Sequence, residues 1–238
     1  MTAATSRLTP ITEVMRPDGA GPFPTAILLH GCGGLQPLQR RYAEAIRGAG
    51  AAAVLIDSFE HRGISRMHAH LTVCTGLRLR GDARAQDLFD VIDWLGGQAW
   101  SDPARLCAIG WSHGAWTIMD ALAIAGRNHA RRPLASRLRS VGLIYPYCGV
   151  AALTTGRGWG GLAPDVTAII AGRDQVVGSR APLRALTRLK ADCVPVDLHL
   201  FEDATHAFED DEASDPRTRY RPDLATRATA LMVGCVLG

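Results

Sequence analysis

At 238 residues, with 47% apolar and 21% charged side chains, the chain is long enough to bury one good core and is neither disordered nor fibrous in make-up. The formal charge of +3 is small and the positive charge is spread along the chain, almost all of it on arginine since Lys190 is the only lysine, which reads as genome composition and not as a nucleic-acid surface. No apolar run approaches the ~18 residues of a membrane span, and Met1 to Arg7 lacks the charged and apolar regions of a signal peptide. A cytoplasmic protein with no membrane partner is therefore expected, with export of a signal-trimmed form left open.

Taken in chain order, short β-rich runs alternate with helical stretches, which predicts an α/β fold: a mostly parallel sheet with helices on both faces. Thr25 to Leu29 reads as a buried strand running into His30-Gly-Cys-Gly-Gly34. A helix starts near Pro37, a residue suited to a first turn, and stops by Gly48 and Gly50. The next strand, Ala52 to Ile56, ends at Asp57. No clean period runs from Ser58 to Arg80, and a loop of that length is expected to be functional or to form a minimal cap. Asp82 is the predicted cap of a helix that carries Ala85, Leu88, Ile92 and Leu95 on one face. A strand over Arg105 to Ile109 leads into a helix over Ser112 to Ala125. Strands over Val141 to Tyr145, Val166 to Ile170 and Val196 to Leu200 follow, and a last helix begins near Pro222. With no repeat and no linker, residues 1–238 are expected to form a single domain, of unknown oligomeric state.

Gly110-Trp-Ser-His-Gly114 matches the nucleophile-elbow pattern G-x-S-x-G, in which a serine stands on a strained strand-to-helix turn that flanking side chains would obstruct. The pattern is short, but an apolar strand leads into it and a helix leads out. A serine needs a base, and the base needs an orienting acid, each on the loop after a later strand. Asp174 in Gly172-Arg-Asp-Gln175 and His206 in Ala204-Thr-His-Ala-Phe208 stand at those places. Ser112, Asp174 and His206 are thus the expected catalytic set. His113 is a competitor base by adjacency. Its ring should point away from the serine, and its backbone N–H is expected to serve an oxyanion hole. The second donor is expected from the glycine-rich loop, at Cys32 or next at Gly33. That loop lacks the lysine of a phosphate-binding loop and the spacing of a dinucleotide site.

Six scattered cysteines contain no C-x-x-C pair, so neither a zinc nor a thioredoxin-like reading is supported. Cys107 and Cys235 read as buried thiols. Cys74 and Cys148 fall in loops on one edge of the sheet, where a disulfide remains open. His61, Arg62, Arg66, His68, His70, Arg78 and Arg80 populate the long loop, either as a site for a carboxylate-bearing substrate or as a solvated surface. Gly33, Trp111 and Tyr145 are candidate substrate contacts, with Trp116, Tyr147 and Trp159 as further pocket or core residues.

The elbow, the His-Gly-Cys-Gly-Gly loop, Asp57-Ser-Phe-Glu-His-Arg-Gly63 and Thr-His-Ala-Phe together make the chain resemble the dienelactone hydrolase family, over roughly Thr25 to Phe208. The resemblance implies an α/β-hydrolase fold and hydrolysis of small esters or lactones without a metal or organic cofactor. Dienelactone hydrolase itself carries a cysteine nucleophile where Ser112 stands, so a serine carboxylesterase is the expected activity. A thioesterase, a peptidase, an acyltransferase and an inactive binding module on the same fold remain open.

Overall fold

The computed structural model describes residues 11–64 and 79–238. Its centre is a seven-stranded sheet of β1 (Ile11–Met15), β2 (Phe23–Leu29), β3 (Ala52–Ile56), β4 (Ser101–Trp111), β5 (Leu138–Ile144), β6 (Asp165–Ala171) and β7 (Val196–Phe201). The strands lie in the order β1-β3-β2-β4-β5-β6-β7. Only β1 is antiparallel to its neighbour. Five longer helices among the described residues cover the sheet: α1 (Pro37–Gly48), α2 (Gly81–Leu95), α3 (His113–Ala125), α4 (Arg180–Ala191) and α5 (Pro222–Leu237).

The core explains why the central strands are almost wholly apolar rather than alternating with polar residues. Successive residues face opposite sides of the sheet, and both sides are buried. Ile27, Leu29, Val54, Ile56 and Ala108 pack toward α2, α3 and α4. Ala26, Leu28, Leu55, Cys107 and Ile109 pack toward α1 and α5. The connection from β3 to β4 crosses β2, so the strand order reverses between β2 and β4. In open α/β sheets a crevice forms at the carboxyl ends of the strands at such a reversal. The glycine-rich loop after β2 and the elbow after β4 meet there.

Two of the described strands and longer helices lie outside the expected set. β1 is a five-residue edge strand whose half-buried and exposed residues alternate, too short and too polar to signal a strand alone. The other is α4, an amphipathic helix with Pro182, Ala185, Leu186 and Leu189 buried. Asp82 is not the cap of α2. The helix begins a residue earlier, at Gly81, with Arg80 in the cap position and no side-chain capping bond. Cys148 does not form the disulfide left open for it. It is a free thiol, 2% exposed, packed with its sulfur 3.8 Å from that of Met119, where burial pushes its pKa up to about 12. Cys74 lies outside the described residues. No helix among the described residues is long and apolar enough to cross a membrane.

Candidate active site

Ser112 ends β4 and begins α3 with φ 51° and ψ −107°, a left-handed backbone at a non-glycine residue. Its N–H donates to Ile144 O at 2.8 Å, which ties the turn to β5. The two glycines of the motif are sterically required. A Cβ on Gly110 would stand 2.4 Å from Ala115 N, and one on Gly114 would stand 2.0 Å from Leu29 O. The elbow is therefore held by close backbone packing on both sides, and strain at Ser112 persists because its surroundings leave no alternative.

Asp174 and His206 arrive on two loops that are joined to each other. Gly172 N–H donates to Phe201 O and Arg173 N–H to Ala204 O, both at 2.9 Å. Gly172 must lack a side chain, since a Cβ there would lie 2.4 Å from Glu202 O. This pairing brings His206 Nδ1 to 2.7 Å from Asp174 Oδ2 and His206 Nε2 to 3.0 Å from Ser112 Oγ. Asp174 Oδ1 accepts from the N–H groups of Val176 (2.8 Å) and Val177 (2.9 Å). Burial alone would raise the Asp174 carboxyl, but the hydrogen bond and charge of His206 and these two N–H groups outweigh it and hold its pKa below the usual value. An ionised Asp174 accepts the Nδ1–H, which leaves Nε2 as the acceptor for the serine hydroxyl.

Three expected site residues wall a cavity of about 640 Å³ beside the serine: Cys32 and Gly33 from the loop after β2, and Trp111 from the elbow. Tyr145 joins them, its ring 4.4 Å from that of His206. The segment after His206, through Thr218, closes the other side and returns to pair with His206. Of five non-glycine residues with positive φ among the described residues, three (Ser112, Tyr145 and Ala207) line this cavity. Such strain gathers at sites rather than in plain connections. The glycine-rich loop lies directly against the elbow, for a Cβ on Gly31 would be 3.7 Å from Ser112 Cβ. Cys32 is disulfide-bonded, so its sulfur is not a thiol nucleophile.

Other expected contacts are placed elsewhere. Arg62 is not on the cavity wall: it donates to both oxygens of Asp87 at 2.7 Å and to Ser58 O at 2.7 Å. Trp116 donates to Asp120 and its ring packs on Tyr147, while Trp159 is buried in the core. The ring of His113 points away from the cavity, 3% exposed, between Arg84 and Leu79 O. Burial and the Arg84 charge lower its pKa to about 3, so it is a neutral imidazole. Arg66, His68, His70, Arg78 and the side chain of His61 lie outside the described residues. Among the described residues, no group of three or more His, Cys, Asp or Glu side chains is gathered for a metal ion.

Two buried ionisable residues beside the site escaped the sequence. Arg84 touches both the glycine-rich loop and His113. Glu209 accepts from Trp111 Nε1 at 3.0 Å beneath the elbow. A signal for Arg84 existed: it precedes Leu88 by four residues and so falls on the apolar stripe of α2. Glu209 follows Ala207-Phe208 with nothing to mark it as buried.

A model of the prolyl oligopeptidase family matches residues 74–129, a segment that contains α2, β4, the elbow and α3. No curated protein matches the chain in sequence. Among solved structures, a protein from Klebsiella pneumoniae assigned as a dienelactone hydrolase is 16% identical, with TM-score 0.73, covering 94% of this chain and 90% of its own. A dienelactone hydrolase-like promiscuous phosphotriesterase from metagenomic libraries is 20% identical, with TM-score 0.67 and coverage of 91% and 86%. The carboxylesterase Cest-2923 of Lactobacillus plantarum is 14% identical, with TM-score 0.69 and coverage of 95% and 93%. The chain has the α/β-hydrolase fold, the fold it shares with these dienelactone hydrolase-like and esterase structures.

Proposed function

We propose that the chain is a serine hydrolase that cleaves small carboxylic esters or lactones through an acyl-enzyme on Ser112. The observation that carries this reading is the continuous line from Asp174 through His206 to Ser112 Oγ, at 2.7 and 3.0 Å, opening on a cavity of a size suited to a small ligand. His206 Nε2 takes the hydroxyl proton as Ser112 Oγ attacks the carbonyl carbon, and Asp174 stabilises the imidazolium. The N–H of His113, at the start of α3 where no intrahelical acceptor is available, and that of Cys32 hold the oxyanion. Collapse of the tetrahedral intermediate expels the alcohol, which takes the proton from His206. Water, deprotonated by the same imidazole, then releases the acid.

The esterase and dienelactone hydrolase-like neighbours support the hydrolase reading through their fold, and the cavity supports a small substrate. On the described wall the one arginine, Arg217, is paired with Asp215, while Arg62 lies off the wall, bonded to Asp87. The test is a panel of p-nitrophenyl esters, lactones, acyl-thioesters and aminoacyl amides, run with wild type and Ser112→Ala, together with a fluorophosphonate probe. Ester turnover that is lost by 10⁴- to 10⁶-fold in Ser112→Ala, on the order seen for removal of such a nucleophile, with labelling confined to Ser112, is the expected result. Absence of labelling means a binding module. A kcat/KM that favours thioesters or amides moves the substrate class and leaves the mechanism.

A further inference from the structure

Arg84 is completely buried, which is costly for a charge unless its hydrogen bonds are well made. Its Nη1 donates to His30 O at 2.7 Å and stands 3.3 Å from His113 Nδ1, and its Nε donates to Ser58 Oγ at 2.6 Å. The tautomers around it follow from their partners. His113 Nε2–H donates to Leu79 O at 2.7 Å, which leaves Nδ1 to accept from Arg84. His30 Nε2 accepts the Ser58 N–H at 3.2 Å, so its Nδ1–H donates to Gly31 O at 2.6 Å. Burial, then the Arg84 charge, lowers His30 to about 4, consistent with a neutral ring. Burial lowers Arg84 itself only to about 10, so it stays a cation at neutral pH. One guanidinium thus fastens together the segments that follow β2, β3 and β4.

The fastening is also incomplete, since Arg84 Nη2 has no hydrogen-bond partner among the described residues. A buried cation with an unpaired donor carries a desolvation cost that its remaining bonds must offset. The place of this one points to a use beyond packing. Its two contacts nearest the serine are the carbonyl at the root of the glycine-rich loop and the ring of the residue after Ser112.

We propose that Arg84 is a positioning residue for the reaction, holding the His30–Gly34 loop and the start of α3 at the separation where the Cys32 and His113 N–H groups converge on one oxyanion. This inference rests on the serine-hydrolase reading. The planar fork is essential to it, because a lysine ammonium is a single point and cannot reach three acceptors in fixed directions. Arg84 acts on the transition state and not on substrate binding, so its loss belongs in kcat.

The experiment compares Arg84→Met and Arg84→Lys with wild type. It measures ester hydrolysis, melting temperature, and inhibition by a trifluoromethyl ketone, which forms a tetrahedral oxyanion on Ser112, beside its methyl ketone analogue. Misplacing one oxyanion donor costs up to about 10²–10³ in kcat. The expected result is a fall in kcat of about 100-fold for Arg84→Met and about 10-fold for Arg84→Lys, with KM within about threefold. Trifluoromethyl ketone inhibition should weaken in step while methyl ketone binding holds. Wild-type kcat in either folded variant, a loss confined to KM, or equal weakening of both ketones overturns the proposal. If Arg84→Met does not fold, Arg84→Lys reads the same way alone. A wild-type protein that turns over no ester and forms no ketone adduct overturns the hydrolase reading and this inference together, whereas an active wild type with indifferent variants overturns this inference only.

Discussion

Two histidines flank Ser112, and their surroundings differ in the sign of the charge that each one meets. His206 lies between a carboxylate and the serine hydroxyl, at the cavity edge and 8% exposed. His113 lies between a guanidinium and a backbone carbonyl, 3% exposed, with its pKa lowered to about 3 by burial and then by Arg84. Asp174 gives the Nδ1–H of His206 a carboxylate acceptor, which leaves Nε2 facing the serine hydroxyl. Arg84 instead sets a cation against the ring of His113. Adjacency in the chain therefore says little about which histidine does the chemistry. The partner on the far nitrogen decides.

That contrast is open to attack in order of size. His206→Asn should lower kcat by 10⁴-fold or more, comparable to loss of Ser112, because among the described residues His206 is the imidazole bonded to the serine hydroxyl. Asp174→Asn should keep the Val176 and Val177 bonds and the fold, yet lower kcat by about 10³- to 10⁴-fold. An amide NH₂ facing Nδ1 would force the proton onto Nε2, where the serine needs an acceptor. His113→Asn should cost less than about tenfold, since the Asn oxygen can still accept from Arg84 and the backbone N–H is retained. Steady-state kinetics on one p-nitrophenyl ester settles all three. A His113→Asn loss as deep as that of His206→Asn would mean that the two rings share the work, and the comparison would fail.

The meeting of Ser112, His206 and Asp174 was legible because each stands where a strand stops, and strand ends can be read from apolar runs closed by glycine or acid residues. Ser112 after Leu106 to Trp111, Asp174 after Val166 to Ala171 and His206 after Val196 to Phe201 all follow that rule. The sheet was legible for the same reason, apart from β1, whose half-exposed pattern carries little signal. The role of Arg62 was not readable, because its partner Asp87 lies on α2 and only the fold decides which carboxylate an arginine reaches. Cysteine pairing was equally hidden: Cys148 packs against Met119 in the core, which spacing along the chain does not reveal. Buried ionisable groups are the hardest to foresee, since a single sequence does not show how completely neighbouring loops will close over a side chain.

Glu209 gives the finest test, because it is predicted to alter pH dependence more than rate. It is 2% exposed, accepts from Trp111 Nε1, and faces Tyr145, Tyr42 and Asp210. Burial, opposed by its hydrogen bonds, raises its pKa from 4.5 to about 8. A carboxyl raised on folding binds more protons in the native state than in the unfolded one between those values. Its contribution is thus fully present below about pH 4.5 and is lost as pH rises through about 8. Asp174, shifted the other way, contributes above its unfolded value and loses that contribution as pH falls. Glu209→Gln mimics the neutral carboxyl and does not titrate. Its melting temperature should match wild type near pH 5 and exceed it by several degrees near pH 9, as a difference of a few kcal/mol implies. Melting curves for both proteins across that range, with ester turnover at each pH, check the point. A gap that stays constant or changes sign would mean that Glu209 is ionised beneath the elbow, and the Trp111 indole would then be donating to a carboxylate rather than to a carboxylic acid.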